Sequence, residues 1–191
     1  MVQVQDVTLL QAARDGDLDA LDALLRLHLP RVYRFGMRMC RDREDAQDVL
    51  QDTLFAASRG LQGFRGASSF STWLYTIARS FCIKKRRRSV HAPEIVSLED
   101  DAGARAEDAA DGGADPERLL SGQELAAALA SAIASLPPAY REALVLTEIE
   151  GLPAAEAAAA AGVGVRALKS RLHRARSAVR GRIAPLLAPA G

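Results

Sequence analysis

The segment 165–183 constrains the fold most, because its residues separate into two opposed faces only if it is helical. At 100° per residue its apolar side chains fall on one side, and a face without acidic residues falls on the other. A second short helix is predicted at 153–161, and Gly-Val-Gly at 162–164 forms a tight turn between them. This pattern predicts a helix-turn-helix with a basic second helix, the geometry that enters a DNA major groove. A basic helix that is merely solvated is the alternative.

The rest of the chain also predicts helix, because no stretch alternates apolar and polar residues for long enough to form a strand. Asp17, Asp42 and Ser69 are suited to cap helix N-termini. The fold class is therefore all-α. Helices are predicted at 8–14, 17–41, 43–59, 70–87, 117–135, 138–150, 153–161 and 165–182.

Charge is distributed unevenly, although the net charge of the 191 residues is only +1. Residues 1–88 carry a net charge of +5, residues 89–118 a net charge of −7, and residues 119–191 a net charge of +3. The acidic segment is rich in Ala, Gly and Asp, and such a segment cannot bury enough surface to offset its ordering entropy. We therefore expect two small helical domains, 1–88 and 119–191, joined by a flexible acidic linker at 89–118.

Two helices of the first domain carry opposite charge. The helix 43–59 has an acidic face, which suits a basic docking partner as well as plain solvation. The helix 70–87 ends in four cations, and Arg88 directly after it completes a run of five. Such a run is longer than a favourable interaction with the helix dipole requires, and it is typical of phosphate binding. In the glycine-rich loop before it, Phe64 and Arg65 could stack on or clamp an unpaired base, with core packing of Phe64 as the alternative. Trp73 is expected in the core.

Several other classes of function are disfavoured. The three histidines are scattered and no nucleophile–base pairing or metal spacing occurs, so we expect neither an enzyme nor a metal or organic cofactor. Cys40 and Cys82 are expected to be buried free thiols, with a redox or metal-sensing role as the minor alternative. No signal peptide or membrane span is predicted, and the expected compartment is the cytoplasm.

Four segments in this order carry a family resemblance: DREDAQDVLQDTLFAASRGLQGF, FRGASSFSTWLYTIARS with its basic tail, SLPPAYREALVLTEIEGL and GVGVRALKSRLHRAR. The chain resembles bacterial RNA polymerase sigma factors of the extracytoplasmic-function (ECF) group over roughly 17–88 and 119–182. The resemblance implies a sigma region 2 domain, a linker through the RNA exit channel, and a sigma region 4 domain. It also implies that the chain binds core RNA polymerase at its clamp and flap, reads promoter DNA, is controlled by an anti-sigma factor, and is not inserted in a membrane.

The same resemblance assigns residues to each contact. One set would read the −35 element, with the base-contacting positions distinguished from the phosphate-contacting ones: Lys169, Ser170, His173 and Arg174 for bases, and Arg166, Arg171 and Arg176 for phosphate. A second set would bind the −10 element: Phe64, Arg65, Ser68, Ser69, Tyr75, Thr76, Arg79, Ser80, Ile83, Lys84, Arg86 and Arg87. A third set would contact the polymerase clamp and flap: Asp45, Asp48, Gln51, Asp52, Tyr140 and Leu144.

The sequence departs from the family pattern in two places. Ser80 and Lys84 stand where the family often has Asn and an acidic or amide residue, which puts the −10 base preference in doubt. The supporting helix 153–161 is nearly all alanine, so we expect it to pack less surface. Two alternatives to a sigma factor remain: a conventional helix-turn-helix regulator, and an antagonist that mimics a sigma domain. The two domains are expected to adopt many relative spacings until the polymerase holds them.

Overall fold

A computed structural model describes residues 2–40, 42–91 and 116–187, and every regular element in these ranges is helical. The predicted all-α fold is confirmed, and each predicted helix is present with ends shifted by a few residues. A 3₁₀ turn at Leu61–Gly63 follows the third helix, and a π-helical turn at Val145–Ile149 extends the sixth. The eight α-helices are α1 (Val2–Arg14), α2 (Leu18–Met39), α3 (Arg43–Gly60), α4 (Phe70–His91), α5 (Pro116–Ala134), α6 (Pro138–Leu144), α7 (Ala154–Ala160) and α8 (Val165–Leu187).

Helices α1–α4 form the first module. Its α2 and α3 approach closely at Gly36, where an added Cβ would lie 3.3 Å from the carbonyl oxygen of Ala46. The predicted N-caps are confirmed: the Asp42 carboxylate accepts a hydrogen bond of 2.7 Å from a backbone N–H of α3, and the Ser69 hydroxyl accepts one of 3.2 Å in α4. Asp17 caps α2 in the same way. Short polar side chains at these ends therefore set where the helices begin.

Helices α5–α8 form the second module. Leu168 and Ala175 lie on the inner side of α8 and are fully buried. Gly162 adopts a φ of +63° in the turn before α8, a conformation that glycine accepts without steric cost. The alanines of α7 contribute to packing: Ala157, Ala158 and Ala160 are buried, and α7 packs against both α4 and α8. Small side chains here bring α7 close to its two neighbours.

The two modules pack directly on each other through α4 and α7, and α2 also contacts α6. One continuous apolar core contains Phe35 and Leu74 of the first module together with Val145 and Leu146 of the second. The expectation that the modules adopt many relative spacings is wrong for this state, because apolar burial and buried polar contacts fix one arrangement. Residues 92–115, most of the predicted linker, lie outside the described residues, and the domain bounds stay a prediction.

Candidate nucleic-acid interface

The outer face of α8 is basic and accessible. Leu168 and Ala175 are buried on one side of the helix, so the side chains on the opposite side point away from the core. The Nη1 group of Arg174 donates a 3.0 Å hydrogen bond to the Tyr140 hydroxyl, which orients the Arg174 side chain. Arg176 pairs with the Glu148 carboxylate. Six of the seven predicted −35 residues are exposed on this face: Arg166, Lys169, Ser170, His173, Arg174 and Arg176.

Arg171 is the exception on α8. It is half-buried and lines a cavity of about 170 Å³ between the modules, together with Arg79 and Glu142. A phosphate contact by Arg171, which the sequence predicted, is therefore sterically restricted while the modules are packed together. Its guanidinium is instead close enough to Glu142 to help hold the pKa of that carboxyl down against the effect of burial.

Three carboxylates of the second module cover the polar face of α4. Glu156 accepts hydrogen bonds from the hydroxyls of Ser69 and Thr72. Glu150 accepts a hydrogen bond of 2.5 Å from the Tyr75 hydroxyl. Glu142 forms an ion pair with Arg79. Part of the α4 face that carries the predicted −10 residues is therefore occupied by acidic groups over its first three turns, while Thr76 and Ser80 stay exposed.

The charged partners of this contact are largely removed from water. Burial raises the pKa of the Glu142 carboxyl, although Arg79 opposes that shift. Burial and the hydrogen bond to Glu150 raise the pKa of the Tyr75 hydroxyl, which is only 1% exposed and stays protonated as a donor. Arg31 of α2 donates a 2.7 Å hydrogen bond to the Glu150 carbonyl, and its Nε lies 3.7 Å from the Glu150 carboxylate. The contact is thus a network of polar groups that are mostly paired, although the Oε1 atom of Glu150 is buried without a hydrogen-bond partner.

The remaining −10 candidates fall into accessible and covered groups. Phe64 packs against the rings of Phe70 and Trp73 at centroid distances of 5.9 and 5.1 Å and is only 5% exposed. The core-packing alternative therefore holds for Phe64 in this conformation, and stacking of Phe64 on a base stays a prediction. Trp73 is half-buried beside it. The accessible candidates are Arg65, Thr76, Ser80, Lys84, Arg86 and Arg87, whereas Ser68, Ser69, Arg79 and Ile83 are half-buried and Tyr75 is buried.

The acidic face of α3 is also partly engaged within the chain. Lys85 of α4 forms ion pairs with Asp45, at 2.9 Å, and with Asp48. These two carboxylates raise the pKa of the Lys85 ammonium. Gln51 and Asp52 are exposed beside them. On the predicted polymerase-binding face, two carboxylates are therefore in internal ion pairs, and Asp48, Gln51 and Asp52 are exposed.

Comparisons with known proteins bear on both modules. The Sigma-70 region 2 family matches residues 24–91, and the Sigma-70 region 4 family matches residues 126–179. The ECF RNA polymerase sigma-E factor of Escherichia coli (strain K12) is 32% identical over 97% of this chain and 97% of its own length. The chain belongs to the ECF sigma factors.

Two further proteins are similar to this sigma factor. The ECF RNA polymerase sigma factor SigE of Mycolicibacterium smegmatis is 34% identical over 86% of this chain, which spans only 63% of that relative. A solved structure of the sigma factor RpoE in complex with the anti-sigma factor NepR, from Bartonella quintana, is similar with a TM-score of 0.66 and 28% identity. It covers 85% of this chain and 96% of the other. The family match over both regions favours a sigma factor over a conventional regulator.

Two predicted flap residues of this sigma factor differ in accessibility. Tyr140 is half-buried, and its hydroxyl faces Arg174 of α8. Leu144 is buried against Ala175 in the core of the second module. Its side chain supports α8 in this conformation, and direct contact of Leu144 with the polymerase stays a prediction.

Sequence reasoning missed the groups that cover α4. Glu142, Glu150 and Glu156 each lie on a different element, and nothing in their spacing indicates a common surface. Arg31 was missed for the same reason, since its partner is 119 positions away. In the part of the chain that the structure describes, no group of three or more metal-ligating side chains gathers, and no helix is long and apolar enough to cross a membrane.

Proposed function

We propose that this sigma factor binds core RNA polymerase and directs initiation at promoters whose −35 element is read by α8 and whose −10 element is read by α4. The observation that carries this proposal is the exposed basic face of α8, held by Leu168 and Ala175 on a helix-turn-helix. The chain contributes recognition and positioning, and the polymerase contributes the chemistry.

At the −35 element, Lys169, Ser170, His173 and Arg174 meet base edges in the major groove. Arg and Lys side chains there donate to guanine O6 and N7. Arg166 and Arg176 lie toward the sides of the same face and contact phosphate, which fixes the register of the helix on the duplex. The contact of Arg174 with Tyr140 favours this assignment, because an anchored guanidinium loses less conformational entropy on binding.

At the −10 element, the exposed Thr76 and Ser80 face the DNA, and the basic end of α4 contacts phosphate. Capture of an unpaired base involves Arg65 and the serines at 68 and 69 in the loop before α4. Extruding a base costs a few kcal/mol, which pocket contacts recover. Tyr75 and Arg79 join this surface only after the carboxylates that cover them have moved away.

Polymerase binding uses the acidic face of α3 on the clamp and the region around Tyr140 on the flap. Asp48, Gln51 and Asp52 are accessible for a basic partner, which supports this assignment. Lys85 competes for Asp45 and Asp48, so docking exchanges an internal ion pair for an external one. The exchange also frees a cation of α4 for the DNA backbone.

In the free sigma factor, the contact between α4 and the second module keeps part of the −10 face covered. The carboxylates of Glu142, Glu150 and Glu156 bind the same hydroxyl and guanidinium groups that nucleic acid would otherwise engage. Promoter binding by the isolated chain is weak for this reason, since only the fraction of molecules with separated modules is competent. Binding of the two modules to separate sites on the polymerase supplies the free energy that separates them.

Control by an anti-sigma factor is part of the proposal. Its support is the similarity to RpoE from Bartonella quintana, whose solved structure contains the anti-sigma factor NepR. In the closed arrangement, the two modules pack against each other through α4 and α7. A protein that binds between or around the modules would either keep this arrangement or take the place of one module in it. The site of action is the cytoplasm, where core polymerase works.

The proposal is tested by transcription with core polymerase on promoters that differ only in the −35 or the −10 element. Arg174→Ala is expected to reduce discrimination among −35 sequences and to leave discrimination among −10 sequences unchanged. Arg180→Ala, a change of the same kind further along α8, is the matched control. If neither element affects the transcript level, promoter reading by this chain is excluded.

A further inference from the structure

Two cysteines that lie 42 positions apart in the sequence meet where α2 ends against α4. The Sγ atoms of Cys40 and Cys82 are 3.5 Å apart. Both are free thiols, Cys82 buried on α4 and Cys40 half-buried directly after α2. A disulfide requires a sulfur–sulfur distance of about 2.05 Å, so the two sulfurs must approach each other further before they can join.

A cavity of about 140 Å³ adjoins this pair and is lined by both cysteines. Lys85, Arg86 and Arg141 also line it, so cations face the thiols from α4 and α6, while the single lining carboxylate, Asp45, is paired with Lys85. Such a cavity admits a molecule the size of hydrogen peroxide. It is too small for oxidised glutathione, which is many times larger.

The two thiols are not equivalent. The hydrogen bond from Cys82 lowers the pKa of the Cys40 thiol, although burial and two nearby carboxylates oppose that shift. The same hydrogen bond and deeper burial raise the pKa of the Cys82 thiol. Because the thiolate is the nucleophile and needs access, Cys40 is the residue that attacks and Cys82 is the residue that resolves.

We propose that Cys40 and Cys82 form a peroxide-reactive dithiol that closes to an intramolecular disulfide within the first module. The Cys40 thiolate attacks one oxygen of hydrogen peroxide, the O–O bond breaks, and the leaving hydroxide takes a proton to become water. Cys40 is then a sulfenic acid. The Cys82 sulfur attacks the Cys40 sulfur, the S–O bond breaks, and the hydroxide leaves as a second water with the Cys82 proton. Two thiols lose two electrons, and the peroxide gains them.

The disulfide would tie the end of α2 to α4 beside the Asp45–Lys85 ion pair. The modification uses residues of the first module alone, and it does not depend on which promoter the chain reads. A thiol reductant reverses it, which makes the site a reversible modification rather than damage.

The test treats the full reduced chain with a small excess of hydrogen peroxide and follows free thiols and intact mass. We expect both thiols to disappear together, with the loss of two hydrogens per chain and recovery on reduction. Trypsin digestion without reductant should then release residues 39–41 linked to residues 80–84. Oxidised glutathione, used in parallel, should react at about one tenth of the rate of hydrogen peroxide or more slowly still.

Single substitutions separate the two roles. In Cys82→Ser, dimedone should trap a sulfenic acid on Cys40, whereas in Cys40→Ser the remaining thiol should resist peroxide over the same period. The inference is overturned if the wild-type Cys40 proceeds to a sulfinic acid while Cys82 stays a free thiol. Disulfides between two chains, or a glutathione adduct formed faster than the internal bond, would overturn it as well.

Discussion

The contact between Arg79 and Glu142 is the most direct place to perturb the closed arrangement. Glu142→Gln keeps the shape of the side chain and removes its charge. The Glu142 side chain is 7% exposed and the Arg79 side chain 29% exposed, so the pair is shielded from water on one side only. Breaking a fully buried pair costs about 3–5 kcal/mol, because the partner charge is left uncompensated. Since water reaches Arg79, we reduce this to about 2 kcal/mol.

A change of about 2 kcal/mol raises the ratio of open to closed molecules by about 30-fold. The apparent affinity of the isolated chain for DNA should rise by a similar factor, because affinity scales with the competent fraction while that fraction is small. Fluorescence anisotropy with a labelled single-stranded −10 oligonucleotide measures this directly. When each is bound to core polymerase, the wild-type chain and the Glu142→Gln variant should differ much less in affinity for DNA, since the modules are then already apart.

Glu44→Gln is the matched control, because Glu44 is exposed on α3 and its loss changes the net charge by the same amount. Any general effect of charge on DNA binding should appear equally in both variants. Circular dichroism checks that each variant keeps its helices. If Glu142→Gln binds the oligonucleotide no better than Glu44→Gln does, the carboxylates do not restrict access to α4, and the reasoning is refuted.

Three further predictions concern other surfaces. Lys169→Ala and Arg174→Ala should each weaken −35 use by about 1–3 kcal/mol in promoter-binding assays with the holoenzyme, and unchanged discrimination between −35 sequences would refute base contact. Charge reversal at Asp45 and Asp48 should reduce co-purification with core polymerase without loss of helicity, and survival of the complex would remove the docking assignment. Burial lowers the pKa of His28, so the folded chain takes up a proton less readily than the unfolded chain. Stability should therefore fall as pH drops below the ordinary value of 6.5. Urea unfolding at about pH 7.5 and about pH 5.5 measures this loss, and an equal loss in His28→Gln would contradict it.

Local features of the fold could be predicted because they depend on neighbours in sequence. The helix-turn-helix followed from the 3.6-residue period of α8 and the glycine at 162, which adopts a positive φ. The caps at Asp17 and Asp42 followed from side chains that accept hydrogen bonds from backbone N–H groups two or three residues on. No tertiary information was needed for any of these.

The closed arrangement could not be predicted, because its contacts join residues that are far apart in sequence. Tyr75 lies on the polar side of α4, and a helix considered by itself gives no sign that a second helix will bury it. The π-helical turn, in which the Glu150 N–H bonds to the Val145 carbonyl at 2.9 Å, precedes the carboxylate that reaches Tyr75. The proximity of Cys40 and Cys82 likewise depends on how α2 and α4 pack.

We propose that this chain converts core polymerase into a promoter-specific enzyme. Run-off transcription with core polymerase from the source bacterium, with and without the chain, on the promoter upstream of its own gene tests it most directly. We expect a transcript from one fixed start site that appears only when the chain is present and is lost when the −35 element is altered. No transcript under these conditions, together with tight promoter binding by the isolated chain, would contradict both the assigned role and the closed state.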